Sequence, residues 1–304
     1  MIAPRRLFWP LALALALPAA PATAQFGVLN DVIGKAKSAK KIGDGLHKIN
    51  EPEEIKIGRD LAGMLLGAAP LVNDPAKQQY VNRVGRWLAL HSARPGLPWK
   101  FCIIDSDDFN AFSTPGGYVL ITRGLFNQMR TEAELAGVLA HEIAHVDRKH
   151  HLEALQKALR NQSFSEMQRY FTVSTGNGYA DQFTDALLSA GKDLYTKGLD
   201  KDAEYEADRI GVVIAARSGY SPYGLAGVLQ TLSATTEDRA YGLHTRTHPL
   251  PLDRLARLDT AMGLRFENMP DLVENTAAFV AIRNPAPPPA PAPATPRPVR
   301  KRRP

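Results

Sequence analysis

The chain has a single cysteine, Cys102, so no intramolecular disulfide framework holds it together. Cys102 lies in Trp99-Lys100-Phe101-Cys102-Ile103-Ile104, an apolar run with the look of a buried strand, and reads as a small core residue, not a nucleophile. Beyond residue 24 no apolar stretch is long enough to cross a bilayer as a helix, which excludes an intramembrane site. Acidic residues are missing from both ends: residues 1–24 and 284–304 carry only Arg and Lys. Removing their two and five positive charges from the total of +6 leaves −1 for residues 25–283. The basic balance therefore sits in the ends, and a nucleic-acid-binding domain is excluded on charge. There is also no internal repeat of the solenoid kind, so partner recognition by a repeat domain is not expected.

The ends are readable in their own terms. Residues 1–24 carry Arg5 and Arg6, an apolar run from Leu11 to Leu17, and the small residues Ala22-Thr23-Ala24. That is the layout of a secretory signal peptide cleaved before Gln25; an uncleaved anchor is the alternative, against which the run is short. Residues 25–50 form a leader of unassigned order. Residues 284–304 are rich in Pro and Ala and end Arg300-Lys301-Arg302-Arg303, a composition that buries no core and makes a disordered tail. Such a tail is a solvated spacer or makes a weak contact with an anionic membrane surface. The folded domain is then residues 51–283, exported and soluble, with the periplasm as its expected place.

Within that domain, helices are expected over Glu51–Leu66 and from Asp74-Pro75 onward, where Pro suits a first turn and Tyr80, Val81, Val84 and Leu88 share one face. Phe101–Ile104 and Tyr118–Thr122 are β-branched runs, and Asn110-Ala111-Phe112-Ser113 is a shorter extended segment before the Pro115-Gly116-Gly117 turn. Thr131 and Glu134 form an N-terminal capping box for a helix expected to run to about Leu159. Residues 161–184 are irregular and stand as a candidate lid. Helices resume over Asp185–Tyr195 and Lys201–Arg217, and a loop leads to His248-Pro249.

The chemistry is concentrated on two of these helices. His141-Glu142-Ile143-Ala144-His145 puts two imidazoles four residues apart, on one helical face, where both can hold one Zn²⁺. Glu142 then lies close to the open side of the metal, where a carboxylate can take a proton from water. A third ligand is needed, and Glu204 in Lys201-Asp202-Ala203-Glu204-Tyr205-Glu206-Ala207-Asp208 is the candidate. Asp208, four residues on, can accept a hydrogen bond from the distal nitrogen of a ligand histidine. Glu206 points elsewhere and reads as a surface charge. His150 and His151 read as exposed, with His150 off the metal face, and His47, His91 and His244 read as solvated loop residues.

These segments resemble peptidase family M48, the gluzincins that include HtpX-like and prenyl-protein (CAAX) endopeptidases, and most of all its soluble periplasmic, BepA-like branch. The resemblance rests on Asn110-Ala111-Phe112 with Gly116-Gly117-Tyr118-Val119, on His141-Glu142-Ile143-Ala144-His145, on Glu204-Tyr205-Glu206-Ala207-Asp208, and on His248-Pro249 with Arg254. It implies an α+β fold, mainly helical, with a small β-sheet beside the metal helix. It implies one zinc per chain on His141, His145 and Glu204, with Glu142 as general base. Asn110, Ala111, Phe112 and Ser113 would belong to an edge strand that pairs with a polypeptide substrate through backbone hydrogen bonds. His248 would bind or shield zinc, or stabilise the oxyanion; Arg254 would hold that segment in place or assist the oxyanion. The implied activity is zinc-dependent endoproteolysis of unfolded or misassembled envelope proteins. The alternative keeps the metal without turnover, as a latent enzyme or a chaperone for outer-membrane proteins.

Overall fold

The computed structural model describes residues 49–158, 189–234, 242–269 and 272–283. The expected signal peptide, the leader up to residue 48 with His47, the candidate lid at 161–184 and the tail at 284–304 lie outside the described residues.

The domain starts with helix α1, Glu51–Ala68. Asn50 caps it reciprocally with Glu53, and Pro52 sits in the first turn, where a missing N–H leaves no bond unmade. Helix α2, Pro75–Ala89, follows the expected pattern, with the Asp74 side chain accepting from Lys77 N–H. Strands β1 (Lys100–Ile104), β2 (Ala111–Thr114) and β3 (Tyr118–Thr122) form one sheet in the order β1-β3-β2. β3 pairs parallel with β1 and antiparallel with β2. The β2–β3 turn depends on Gly116 and Gly117, whose φ values of 78° and 98° disfavour side chains. A Cβ on Gly116 would also lie 2.5 Å from Ile55 Cα.

Two short connections lead into the centre of the molecule. Helix α3, Arg123–Gln128, is capped by Thr122. Helix α4, Glu132–Asp147, then runs through the core, and every residue from Glu132 to Val146 is buried. A helix buried all round needs apolar neighbours on all sides. It has the sheet and α2 on one flank and, on the other, helices α7 (Lys201–Arg217) and α8 (Gly224–Ala234). Leu135, Leu139 and Ile143 are wholly enclosed in that packing. Between α4 and α7 the residues 150–158, as α5, and 189–197, as α6, are helical. Helices α9 (Gly242–Thr247), α10 (Pro251–Met262) and α11 (Ala277–Arg283) complete the domain. Phe279 of α11 packs between Tyr80 and Phe126. The fold is α+β and mainly helical, with its small sheet against α4, as the sequence implied. Among the described residues no helix is long and apolar enough to cross a membrane.

Three local expectations change. Thr131 does cap α4, but the buried Glu134 carboxylate accepts from the backbone and guanidinium of Arg130 in place of closing the box. The expected single helix to about Leu159 ends at Asp147: Lys149 takes φ 59°, and the chain re-enters a helix at residue 150. The segment before His248-Pro249 holds the short helix α9 instead of a loop. Cys102 is half-buried among Ala62, Ile104 and Leu120, and burial pushes its thiol up to about 12, in keeping with a packing role.

Candidate metal centre

α4 presents His141 and His145 one turn apart, with their Nε2 atoms 3.1 Å from each other. α7 crosses α4 closely at this level, because Gly211 leaves room: a Cβ there would stand 2.9 Å from His141 N and Cα. The crossing brings the first turn of α7 over the histidines. Glu204 Oε1 is 3.4 Å from His145 Nε2, and Glu204 Oε2 is 3.7 Å from His141 Nε2. From the turn after α9, His248 Nε2 also lies 3.7 Å from Glu204 Oε2. Four donors bound about 2.0–2.1 Å from one tetrahedral ion stand about 3.3 Å apart, which these separations bracket.

The donor set itself fits a divalent cation. Glu204 is 1 % exposed, and its Oε2 has no hydrogen-bond partner. An unpartnered buried carboxylate oxygen is costly unless a cation completes it. Burial pushes the Glu204 carboxyl up to about 7, and the charges of His141 and Arg254 offset only part of that effect. Burial, then neighbouring histidine charges, joined by Arg254 at His248, holds His145 and His248 well below the usual imidazole range, so each has a lone pair free for a metal.

His141 differs because of what lies behind it. Burial and Arg254 oppose a proton there, but the hydrogen bond and charge of Asp208 outweigh them and raise its pKa. His141 Nδ1 is 2.9 Å from Asp208 Oδ1. Arg254, from α10, grips the same carboxylate, its Nε donating to Oδ2 at 2.9 Å and its Nη2 to Oδ1. The guanidinium thus sits on the Nδ1 side of His141, behind the ring and away from the Nε2 atoms that converge. Although burial opposes it, Arg254 keeps Asp208 far below the usual carboxylate range.

Glu142 and β2 face one cleft, lined also by His145, Tyr195, Leu199, Glu204 and His248. Glu142 is buried, which raises its carboxyl, while the charge of His141 and the nearby Ser113 hydroxyl offset part of that effect. β2 is the edge of the sheet. The Asn110 carbonyl accepts from Thr122 N–H, so Ala111 and Ser113 turn their backbone groups away from β3. Part of that outer edge is already engaged. Asn110 Oδ1 accepts from Ala111 N–H, and the Ser113 carbonyl accepts from the Tyr195 hydroxyl at 3.0 Å. Asn110 Nδ2 also donates to Thr247 Oγ1, which is 2.9 Å from His248 Nδ1. Phe112 packs edge-on against Tyr195.

Several histidines are not where the sequence suggested. His150 was expected to be exposed, yet it is buried, with Nδ1 3.0 Å from His145 Nδ1 and Nε2 3.1 Å from Glu206 Oε2. Glu206, expected as a plain surface charge, is therefore half-buried and paired with His150 and Arg148. His151, also expected outside, stacks on Tyr195 and meets Ser113 Oγ at 3.5 Å. His244 was expected in a solvated loop; it is buried in α9 and stacked on His248 at 4.6 Å. Burial brings both His151 and His244 down to about 3. His91 leans on Trp87 at the end of α2. A signal for His150 was present in the proximity of a second acidic residue, Glu206, two positions after Glu204; the missing piece was the turn at Lys149.

The profile of Peptidase family M48 matches residues 75–262. The beta-barrel assembly-enhancing protease of Escherichia coli (strain K12) is 33% identical over 208 residues, covering 67% of this chain and 42% of that relative. The mitochondrial metalloendopeptidase OMA1 of Arabidopsis thaliana is 25% identical over 220 residues, 71% of this chain and 43% of the relative. A protease HtpX homolog of Salinibacter ruber (strain DSM 13855 / M31) is 28% identical over 200 residues, 56% of this chain and 71% of the relative. The chain spans less than half the length of the beta-barrel assembly-enhancing protease it matches.

Proposed function

The chain belongs to peptidase family M48, and we propose that it is an exported, zinc-dependent endopeptidase of the periplasm that cleaves unfolded or misassembled envelope proteins. The observation that carries this reading is the buried Glu204 carboxylate, whose unpartnered Oε2 faces the Nε2 atoms of His141 and His248 and whose Oε1 faces that of His145. His141, His145 and Glu204 would hold the zinc. When bound, the ion supplies Lewis-acid polarisation of the scissile carbonyl and makes the attacking water acidic. Glu142 would take the proton from the attacking water and return it to the leaving amine, burial having already raised its proton affinity. The outward Ala111 and Ser113 backbone groups pair with the substrate strand, which suits unfolded chains of varied sequence. For that pairing, the Tyr195 hydroxyl gives up the Ser113 carbonyl and Asn110 Oδ1 gives up the Ala111 N–H.

Of the two roles open to Arg254, the contact with Asp208 behind His141 supports holding over oxyanion binding. The domain at 51–283 does the chemistry, residues 1–24 direct export, and the basic tail at 284–304 touches the membrane surface weakly. One observation favours a second reading. His248 Nε2 is as close to Glu204 Oε2 as His141 Nε2 is, and a fourth protein ligand closes a zinc shell to water. On that reading the protein is latent at rest, or holds outer-membrane proteins without cutting them.

Digestion of reduced, unfolded casein by the wild type and by Glu142→Gln, each with and without a chelator, separates the two. The protease reading expects a loss of about 10²-fold or more in Glu142→Gln, with zinc content unchanged. Equal cleavage by both proteins would sink it. Stoichiometric zinc without cleavage, together with suppressed aggregation of the substrate, is the outcome of the second reading.

A further inference from the structure

We propose that His150, backed by Glu206, is the positioning residue for His145: it fixes the tautomer and tilt that aim His145 Nε2 at the metal. The inference rests on His145 being a zinc ligand. It deepens that reading by naming what stands behind the second histidine, as Asp208 stands behind the first.

A straight continuation of α4 would carry residue 150 well round the helix from residue 145. The left-handed turn at Lys149 sends it back instead. The two Nδ1 atoms meet at 3.0 Å, with the rings at 74° to each other. Two ring nitrogens at that distance share one proton, so one donates and the other accepts. The far side of His150 decides which. Its Nε2 is 3.1 Å from Glu206 Oε2, and a carboxylate can only accept. Glu206 is itself held by Arg148, whose Nε lies 2.9 Å from Oε1. With a single ring proton, His150 therefore carries it on Nε2, and its Nδ1 offers the lone pair to which His145 Nδ1–H donates. His145 is left with its lone pair on Nε2, the atom 3.1 Å from His141 Nε2 and 3.4 Å from Glu204 Oε1.

The result is two parallel supports from one helix. Along α7, Glu204 faces the metal, Asp208 orients His141 directly, and Glu206 orients His145 through His150. A ligand histidine usually has such a partner on its other nitrogen, and losing the partner weakens metal binding about 10–100-fold.

The test uses the full chain and two readouts besides cleavage. Zinc affinity is measured by competition with a chromogenic chelator, and the ligand field is read from the visible absorption of the Co²⁺-substituted protein. Wild type, His145→Ala, His150→Ala, His150→Asn, Glu206→Gln and the double variant His150→Ala/Glu206→Gln are compared. We expect His150→Ala to weaken zinc about 10–100-fold and to shift the Co²⁺ bands. His150→Asn keeps an acceptor near the Nδ1 position and recovers most of the loss. Glu206→Gln lies between wild type and His150→Ala, and adds nothing in the His150→Ala background, because it acts only through that ring. An affinity for His150→Ala within twofold of wild type overturns the proposal. So does an Asn variant no better than Ala, which is the behaviour of a mere packing residue. Should His150→Ala fail to fold, Glu206→Gln and His150→Asn decide alone: wild-type affinity and spectrum in Glu206→Gln is again a refutation. A wild type that binds no zinc, or a His145→Ala variant that binds it as tightly, removes the metal reading itself and this inference with it.

Discussion

Replacing Arg254 by leucine should separate the energetics of the fold from those of the metal. Arg254 is 2 % exposed and donates two hydrogen bonds to Asp208, which is 1 % exposed. Leucine fills much of the same volume but leaves the Asp208 carboxylate in a dry site with only His141 for company. Removing one partner of a buried ion pair costs about 3–5 kcal/mol, most of it the desolvation of the charge left behind. The surviving contact from His141 argues for the lower end, about 3 kcal/mol. Asp208→Asn in the same background removes the stranded charge and keeps an acceptor for His141 Nδ1. The double variant should therefore recover about 1–2 kcal/mol relative to Arg254→Leu alone, a non-additivity of the kind expected for residues in contact. The assay is urea unfolding in the presence of a chelator, so that metal binding to the folded state does not mask the difference. A cost below about 1 kcal/mol for Arg254→Leu, or a double variant no more stable than the single one, would refute the reasoning.

Two further outcomes are expected. Glu54 is fully buried on α1, yet its pKa is lowered: burial opposes its charge, but the paired bonds from Arg94 and the contact with Lys149 outweigh burial. A carboxyl with a depressed folded pKa contributes stability above its unfolded value, about 4.3, and loses it as pH falls below that. Glu54→Gln should then be less stable than wild type by about 2–4 kcal/mol at pH 7 in urea unfolding, with the gap narrowing between pH 5 and pH 3. A gap independent of pH would contradict the assignment. Gly211→Ala puts a Cβ 2.9 Å from the His141 backbone, so α7 must move off α4 and take Glu204 with it. Urea unfolding should show a loss of about 1–3 kcal/mol, and a zinc titration a weaker site; no change in either would mean that the helices separate without moving the ligands.

Much of the site could be read from spacing, because spacing on a helix is geometry. His141 and His145, and again Glu204 and Asp208, are four residues apart, and the structure has each pair on one face of its helix. The hairpin was equally readable from Pro115-Gly116-Gly117 between two extended runs, since only glycine takes positive φ freely. What spacing could not tell was which face of α7 meets which face of α4. That depends on Gly211, a residue whose contribution is the absence of a side chain at the crossing point. The burial of His244 was hidden for a related reason: Gly242–Thr247 is only six residues long, too short for periodicity to mark it as a helix.

The break after α4 was unreadable for a different reason, and it explains why His150 was misjudged. Val146-Asp147-Arg148-Lys149-His150 contains no Gly, Pro or Asn to mark a helix end. A left-handed lysine costs about 1–2 kcal/mol and has to be held there by its surroundings. The holding groups come from far upstream. Asp147 Oδ2 accepts from Ala93 N–H, the Val146 carbonyl accepts from Arg94 Nη1, and Lys149 Nζ pairs with Glu54 Oε2. Glu54 in turn accepts from Gly116 N–H, so the same buried carboxylate joins α1, the β-hairpin and the turn. The strain at Lys149 is therefore balanced by a network that no local window contains. Its consequence is local all the same: by ending α4 two residues after His145, it returns His150 to the nitrogen of His145 that does not face the metal.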